Sequence, residues 1–509
     1  MAPIFQQDRV DEVSVGIFFI MAFLLRIYIL KMLVIMPERR LYRMIDLVIR
    51  NGRAVWADTI LEVDIAIDKG KIVAVGSASS MPEANRVIDA EGKFVLPGLI
   101  DPHAHIHTSF MGKPAVDDFY TASVAAASGG STTLIDFAIQ KKGSSPVDAI
   151  KARREEADGK ITIDYSLHSV ITDATDETVG KIKEIIEYGI PSFKLFMAYR
   201  KEGLMVDDGA LMTVFNEANA HGGLVGVHAE NATMIEYLVD KAIREGNRSA
   251  IYHAYTRPPV AEAEAVNRAL FLSKEFEAPL YIFHLSIEEG VEMIRDARTR
   301  GQPVYAETCT HYLVLTEEFL KRPDGINYIC SPPLREKDDV IALWKGIEEG
   351  VISTVGTDHG GYSTEHKRLG EESFDKVPNG LPGIEFRLPV LFTEGVLKDR
   401  ISINKLVAVT STNVAKIFGL YPKKGTISVG SDADIVIMDP NLEKTISAEE
   451  SYYGIDWYPL EGMKAKGNAI VTISKGKVIF EEGEFKGNAG CGEFLKRKIP
   501  NEVLSKPVA

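Results

Sequence analysis

Between Gly98 and Leu420 the chain repeats one unit: a short apolar, β-branched run, a turn, then an amphipathic helical stretch. The strand-like runs are residues 99–105, 132–136, 162–168, 192–197, 224–228, 280–285, 304–308 and 352–358. Helical patterns lie between them, for example at 178–188, 211–220, 262–275 and 291–300. Strands that alternate with helices imply parallel βαβ units, and eight of them predict a closed α/β fold, the (β/α)8 TIM-like barrel. Such a barrel brings the C-terminal ends of all eight strands to one face, where its catalytic groups gather.

The flanks follow another rule. Residues 46–49, 63–67, 72–75 and 93–96 alternate or run β-branched, with turns at Asn51-Gly52, Lys69-Gly70 and Pro97-Gly98. Short strands return after Leu420, at Ile427, 434–438, 469–474 and 478–480. The two flanks are expected to join into one small β-sandwich domain. The domains predicted are 44–97 with 421–486 for the sandwich, 98–420 for the barrel, and an extended tail over 487–509.

Residues 15–36 read VGIFFIMAFLLRIYILKMLVIM, long enough to cross a bilayer but interrupted by Arg26 and Lys31, which are costly at membrane depth. Three readings compete: a membrane anchor, an amphipathic surface or oligomer segment, and a start assigned too far upstream. The last is favoured, with Met36 or Met44 as the true first residue, because strand patterning begins at Met44. A membrane association is therefore not expected.

Composition excludes several classes. Charged residues at 26% and hydrophobic ones at 45% are ordinary for a folded protein, neither disordered nor collagen-like. The net charge of -14 repels phosphate backbones, so no nucleic acid is expected as a partner. Three scattered cysteines make neither a disulfide framework nor a thiolate zinc site, and a reducing, cytoplasmic setting is the expectation.

Three kinds of residue carry chemistry. In Asp101-Pro-His-Ala-His, the i, i+2 spacing on a strand puts His103 and His105 on one side, a pair suited to a divalent metal. A polar strand edge with hydrogen-bonded histidines is the plainer alternative. Lys194 sits inside an apolar strand, sharing a face with Phe196, while Phe193, Leu195 and Met197 share the other. A buried ammonium is costly unless paired or neutralised. Either a carboxylate pairs with it, or its amine reacts with carbon dioxide to give a carbamate that bridges two metals. Finally, His228, His284 and Asp358 each end an apolar run. Six ligand-type side chains at the C-terminal ends of five strands are hard to explain as structure alone.

Several motifs then resemble the dihydropyrimidinase/hydantoinase branch of the cyclic amidohydrolases, within the amidohydrolase superfamily. They are Pro97-Gly-Leu-Ile-Asp-Pro-His-Ala-His, Phe193-Lys-Leu-Phe-Met-Ala-Tyr, Val227-His-Ala-Glu-Asn, Cys330-Ser-Pro-Pro-Leu-Arg and Pro378-Asn-Gly-Leu-Pro-Gly-Ile-Glu. The likeness covers residues 44–486. It implies hydrolysis of the cyclic amide of 5,6-dihydropyrimidines or hydantoins to N-carbamoyl amino acids, by a hydroxide in a two-metal site. His103, His105 and Asp358 would hold one ion, His228 and His284 the other, and N6-carboxylated Lys194 would bridge them. Zinc suits that donor set best, with manganese or cobalt as alternatives. The resemblance makes Asp358 the general base and acid and aims the Tyr199 hydroxyl at the substrate carbonyl oxygen. Ser331 and Asn379 would bind the ureide edge, largely through backbone groups. It also implies a homotetramer, with barrel helices and the C-terminal tail in the contacts.

Departures from the family pattern narrow the reading. His107 stands where dihydroorotases carry an arginine, which argues against dihydroorotate as substrate. The aspartate is followed by His359-Gly360-Gly361-Tyr362 in place of His-Cys-Pro. Phe110, Phe196 and the loop around Tyr199 either shape the pocket wall or simply pack. Allantoinase, and a non-catalytic scaffold of the same fold, remain the alternative functions.

Overall fold

The computed structural model describes residues 44–110 and 113–507, apart from the side chains of Phe110 and Lys113. The apolar segment 15–36, and the expectations attached to it, lie outside these. Among the described residues no helix is long and apolar enough to cross a membrane.

Eight parallel strands form the barrel: β1 (Leu99–Ala104), β2 (Ser131–Ile139), β3 (Asp164–Val170), β4 (Ser192–Phe196), β5 (Leu224–His228), β6 (Leu280–Ile282), β7 (Val304–Cys309) and β8 (Thr354–Gly356). Each pairs with the next in sequence. The sheet closes where Ala104 bridges His359 in parallel, and the His105 N–H donates to the His359 carbonyl at 2.9 Å. Fully buried Arg387 supports the seam, one guanidinium nitrogen donating to the carbonyls of Ile100 on β1 and Val355 on β8, each at 3.0 Å. The expected strands thus all form, with ends displaced by no more than three residues and 224–228 unchanged. The runs at 280–285 and 352–358 are shorter as strands because the chain leaves the sheet to build the site.

The strand pattern explains the layers. Phe193 and Leu195 face the large apolar cluster shared with the surrounding helices, while Phe196 faces the barrel interior with Phe137, Tyr281 and Phe283. Register sets Lys194 beside Gly226 on β5. Glycine is required there: a Cβ at 226 would lie 2.3 Å from the Phe283 ring.

Both flanks contribute to a seven-stranded sheet, in which Phe94–Pro97 pairs antiparallel with Ile435–Asp439. A four-stranded sheet (Ile45–Arg50, Asp64–Asp68, Lys71–Gly76, Ala84–Asp89) packs against it across Leu47, Ile65, Ile67, Ile435 and Ile473. Ile427, expected as a strand, is instead a buried loop residue whose carbonyl accepts from the Trp56 indole N–H at 3.0 Å. The C-terminal tail runs under the barrel. Leu495 and Ile499 join the interior cluster, the Leu495 N–H bonds the Tyr165 carbonyl at 2.7 Å, and a short helix (Asn501–Ser505) ends it.

Candidate active site

At the C-terminal ends of the strands the barrel opens into a cavity of about 640 Å³. His105, Lys194, His228, His284 and Asp358 line it together with Tyr199, Ser331 and Asn379. His103 lies directly behind, fully buried. The six expected metal ligands and the three expected substrate residues therefore reach one place.

Two clusters face each other. His103 Nε2 lies 3.0 Å, and His105 Nε2 3.2 Å, from Asp358 Oδ1. One ligand atom from each of these three residues falls within 4.8 Å of the others. On the other side His228 Nδ1 lies 2.9 Å from His284 Nε2. Lys194 Nζ reaches in from β4, 3.1 Å from His103 Nε2.

Carboxylates behind the rings fix which nitrogen faces inward. Glu307 Oε1 accepts from His103 Nδ1 at 2.6 Å, leaving the Nε2 lone pair toward the centre. Glu230 Oε2 accepts from His228 Nε2 at 2.7 Å, turning Nδ1 inward. Carboxylate–histidine pairs of this kind set tautomer and basicity in metal sites. Sequence reasoning missed both acids. Glu307 gave the same signal as Lys194, a charged residue inside the buried strand β7.

Further hydrogen bonds set the strand ends. Asp101 accepts from Thr357 Oγ1 at 2.6 Å and from the Thr357 N–H at 3.2 Å, which anchors the approach to Asp358. Asp136 accepts from the Ile106 N–H at 3.0 Å and from Arg153 Nε at 2.9 Å, fixing the turn after His105.

The protonation state of three of the four imidazoles favours metal binding; the fourth, His103, is lowered by burial and Lys194 but raised on balance by Asp358 and Glu307. Burial pushes His105 down to about 3 and His284 well below the ordinary imidazole value. Burial also lowers His228, against the opposing pull of Glu230. These three rings are neutral at pH 7. Despite its burial, Asp358 is held well below the usual carboxylate range by His103 and His105. Burial brings the Lys194 ammonium down to about 8, so its neutral amine is within reach. Three neutral imidazoles with His103, one carboxylate and a nucleophilic amine, converging nitrogen to nitrogen, make a donor set for divalent cations. His284 Nδ1 is buried and has no hydrogen-bond partner among the described residues.

Opposite this centre, Asn379 Nδ2 donates to Tyr199 Oη at 3.2 Å and to Ser331 Oγ at 3.0 Å, joining three loops into one polar wall. Burial and the charge of Glu230 hold the Tyr199 phenol above its ordinary value, so it keeps its proton. Thr108, Ser109, Ile139, Phe196 and Leu204 complete the rim. Tyr362, from the altered His-Gly-Gly-Tyr run, also lines the cavity and donates to the Thr108 carbonyl at 3.2 Å. Phe196 is thus a wall residue. His107 is exposed and stands outside the lining, and the Phe110 side chain lies outside the described residues.

The model of the amidohydrolase family matches residues 94–479. The chain is 44% identical over 453 residues to a D-hydantoinase of Geobacillus stearothermophilus, covering 88% of this chain and 96% of that protein. It is 39% identical over 471 residues to the dihydropyrimidinase of Rattus norvegicus, covering 91% of each. Among solved structures, a dihydropyrimidinase from Brevibacillus agri superposes with a TM-score of 0.87 at 45% identity, covering 89% of this chain and 98% of that one.

Proposed function

The chain belongs to the amidohydrolase family, and from that premise we propose that it hydrolyses the cyclic amide of hydantoins and 5,6-dihydropyrimidines to N-carbamoyl amino acids. It is a cyclic amidohydrolase, as its curated relatives are. The observation that carries the reading is the convergence of His103, His105 and Asp358 on one point, with Lys194 and the His228–His284 pair beside it.

We assign His103, His105 and Asp358 to one divalent ion and His228 and His284 to a second, with Lys194 as the bridge. The Lys194 ammonium gives up one proton, and the neutral amine then adds carbon dioxide and releases a second, which turns a cation into an anionic ligand. Zinc fits the imidazole-rich donors best, with manganese or cobalt next. When bound, the ions supply a nucleophilic water at neutral pH and polarise the scissile carbonyl. Asp358, low enough in pKa to be ionised, takes the proton of the attacking water and returns it to the departing ring nitrogen. Tyr199 donates its hydroxyl to the carbonyl oxygen as negative charge develops there. Ser331 and Asn379, already tied together, hold the ureide edge.

A homotetramer in the cytoplasm is the state proposed. Val260 and Phe271 on the helix Pro259–Glu275 and Tyr237 on Ala232–Arg244 are more than half exposed, which supports a covering subunit. The deciding experiment is turnover of dihydrouracil, hydantoin, a 5-aryl hydantoin and allantoin, with metal stoichiometry measured on the same sample. Turnover of allantoin alone would make the protein an allantoinase. Absence of both turnover and stoichiometric metal would make it a scaffold.

A further inference from the structure

We infer that Lys367 is a positioning residue for substrate binding: its ammonium clamps together the two loops that carry Ser331 and Asn379. Lys367 lies on the short helix Thr364–Arg368 and has no exposed surface. Nζ donates to the carbonyls of Ile329 at 2.8 Å, Pro378 at 2.8 Å and Gly380 at 2.7 Å. Ile329 stands two residues before Ser331, and Pro378 and Gly380 flank Asn379.

The chemistry of the contact is specific to lysine. An ammonium has three N–H groups, and all three are used here, each on a backbone carbonyl rather than on a carboxylate. Burying a charge in this way is costly even with every donor satisfied, and burial brings the ammonium down to about 7, so the three-carbonyl clamp is whole below that pH. The arginine fork is planar and cannot point three donors at carbonyls gathered round one atom. Without the ammonium, the loops keep the Gly380 N–H bond to the Ile329 carbonyl at 3.1 Å and the side-chain bond from Asn379 to Ser331 at 3.0 Å. The inference rests on the reading of Ser331 and Asn379 as the ureide grip. Lys367 touches neither side chain; it sets the separation of the backbones that present them.

Steady-state kinetics of the metal-loaded, full-length enzyme on hydantoin test this, with Lys367→Met and Asn379→Ala measured side by side. The expectation for Lys367→Met is a KM raised about tenfold or more, as for loss of a buried charge-assisted hydrogen bond, with kcat within about threefold and metal content unchanged. A purely structural lysine would lower the melting temperature and leave KM alone. Raised KM in Asn379→Ala with wild-type KM in Lys367→Met overturns the clamp; raised KM in Lys367→Met alone supports a clamp acting on the backbone groups, and wild-type KM in both overturns the clamp together with any grip through the Asn379 side chain. Should the methionine variant not fold, Lys367→Ala is purified with propylammonium, which replaces the missing carbons and nitrogen. A KM that rises as the amine is dialysed away supports the clamp, and a KM indifferent to the amine overturns it.

Discussion

Replacing Glu307 by glutamine should weaken one metal site and spare the other. The carboxylate is fully buried and makes four contacts: His103 Nδ1 at 2.6 Å, the Tyr281 hydroxyl at 3.0 Å, the His284 N–H at 3.3 Å and Cys309 Sγ at 4.0 Å. Glutamine has the same shape, and its oxygen can still accept from His103. Its amide would meet Tyr281, whose hydroxyl also lies 2.6 Å from Thr354 Oγ1 and can turn its proton there. No partner is orphaned, so the change removes charge rather than packing. Loss of such an outer carboxylate typically costs about 10–100-fold in metal affinity, roughly 1.4–2.7 kcal/mol. The assay is chelator-buffered titration of metal-free protein, with Glu230→Gln in parallel because Glu230 holds His228 at 2.7 Å. Each variant should weaken one of two equivalents of metal. Wild-type affinity for both equivalents in a folded Glu307→Gln protein would refute the argument, and equal weakening of both by either variant would refute the separate assignment of His103 and His228.

Other outcomes follow from the same geometry. Tyr199→Phe should keep its metal and lose about 10²–10³ in kcat, the usual effect of one oxyanion donor; near-normal turnover would remove Tyr199 from the chemistry. Lys194→Ala should lose metal and activity together, and added short-chain carboxylic acids should restore part of both. Restoration by the acids of neither would count against an anionic bridge. Glu385 supplies a pH test outside the metal centre: burial raises it to about 7, though it accepts from Ser128, Ser451 and Tyr458. A carboxyl raised in the folded state stabilises fully below its unfolded value near 4.5, and that contribution is lost as pH rises through about 7. Melting temperature of the wild type should therefore fall between pH 5 and about 8 by more than that of Glu385→Gln, and parallel curves would contradict the shift.

Chemistry in this chain was more legible than shape. The His103/His105 spacing and the misplaced charge of Lys194 are local signals, and both led to the cavity. Glu307 carries the same signal on β7, but a glutamate between alanine and threonine reads as an ordinary alternation until the strand is known to be buried on both faces. Lys367 was illegible for another reason. His366-Lys367-Arg368 looks like a solvated basic run, and only the folding of residues 329–331 and 378–380 over it makes the middle residue interior. The strand ends shifted because hydrogen bonds from distant residues, such as Thr357 to Asp101, decide where the sheet stops. The strands Arg53–Val55, Ile60–Glu62 and Ala84–Asp89 gave too little periodicity to be identified; the last of these is largely exposed and polar.

Backbone strain gives a second route to the same residues, independent of side-chain chemistry. Among the described residues ten that are not glycine have a left-handed backbone, a conformation that costs roughly 1–3 kcal/mol each where the surroundings enforce it. Asn51, Lys69, His107, Glu277, Asp399 and Glu482 are exposed, and Lys475 sits in the turn between paired strands, so tight reversals account for them. The remaining three are Tyr199 at φ 67°, His284 at φ 38° and Asp358 at φ 46°, and all three line the cavity. None of them lies in a tight hairpin. Each stands just beyond the end of a barrel strand, where continuing in extended form would carry its side chain along the sheet. Long-range bonds hold them: Glu307 accepts from the His284 N–H, Asp101 fixes Thr357 next to Asp358, and the Asn379 amide donates to the Tyr199 hydroxyl. Strain by itself therefore marks turns as often as sites, as His107 shows. Strain on a residue that lines a cavity is the combination that separates the site from the turns, and at His284 and Asp358 a buried carboxylate from another strand enforces it.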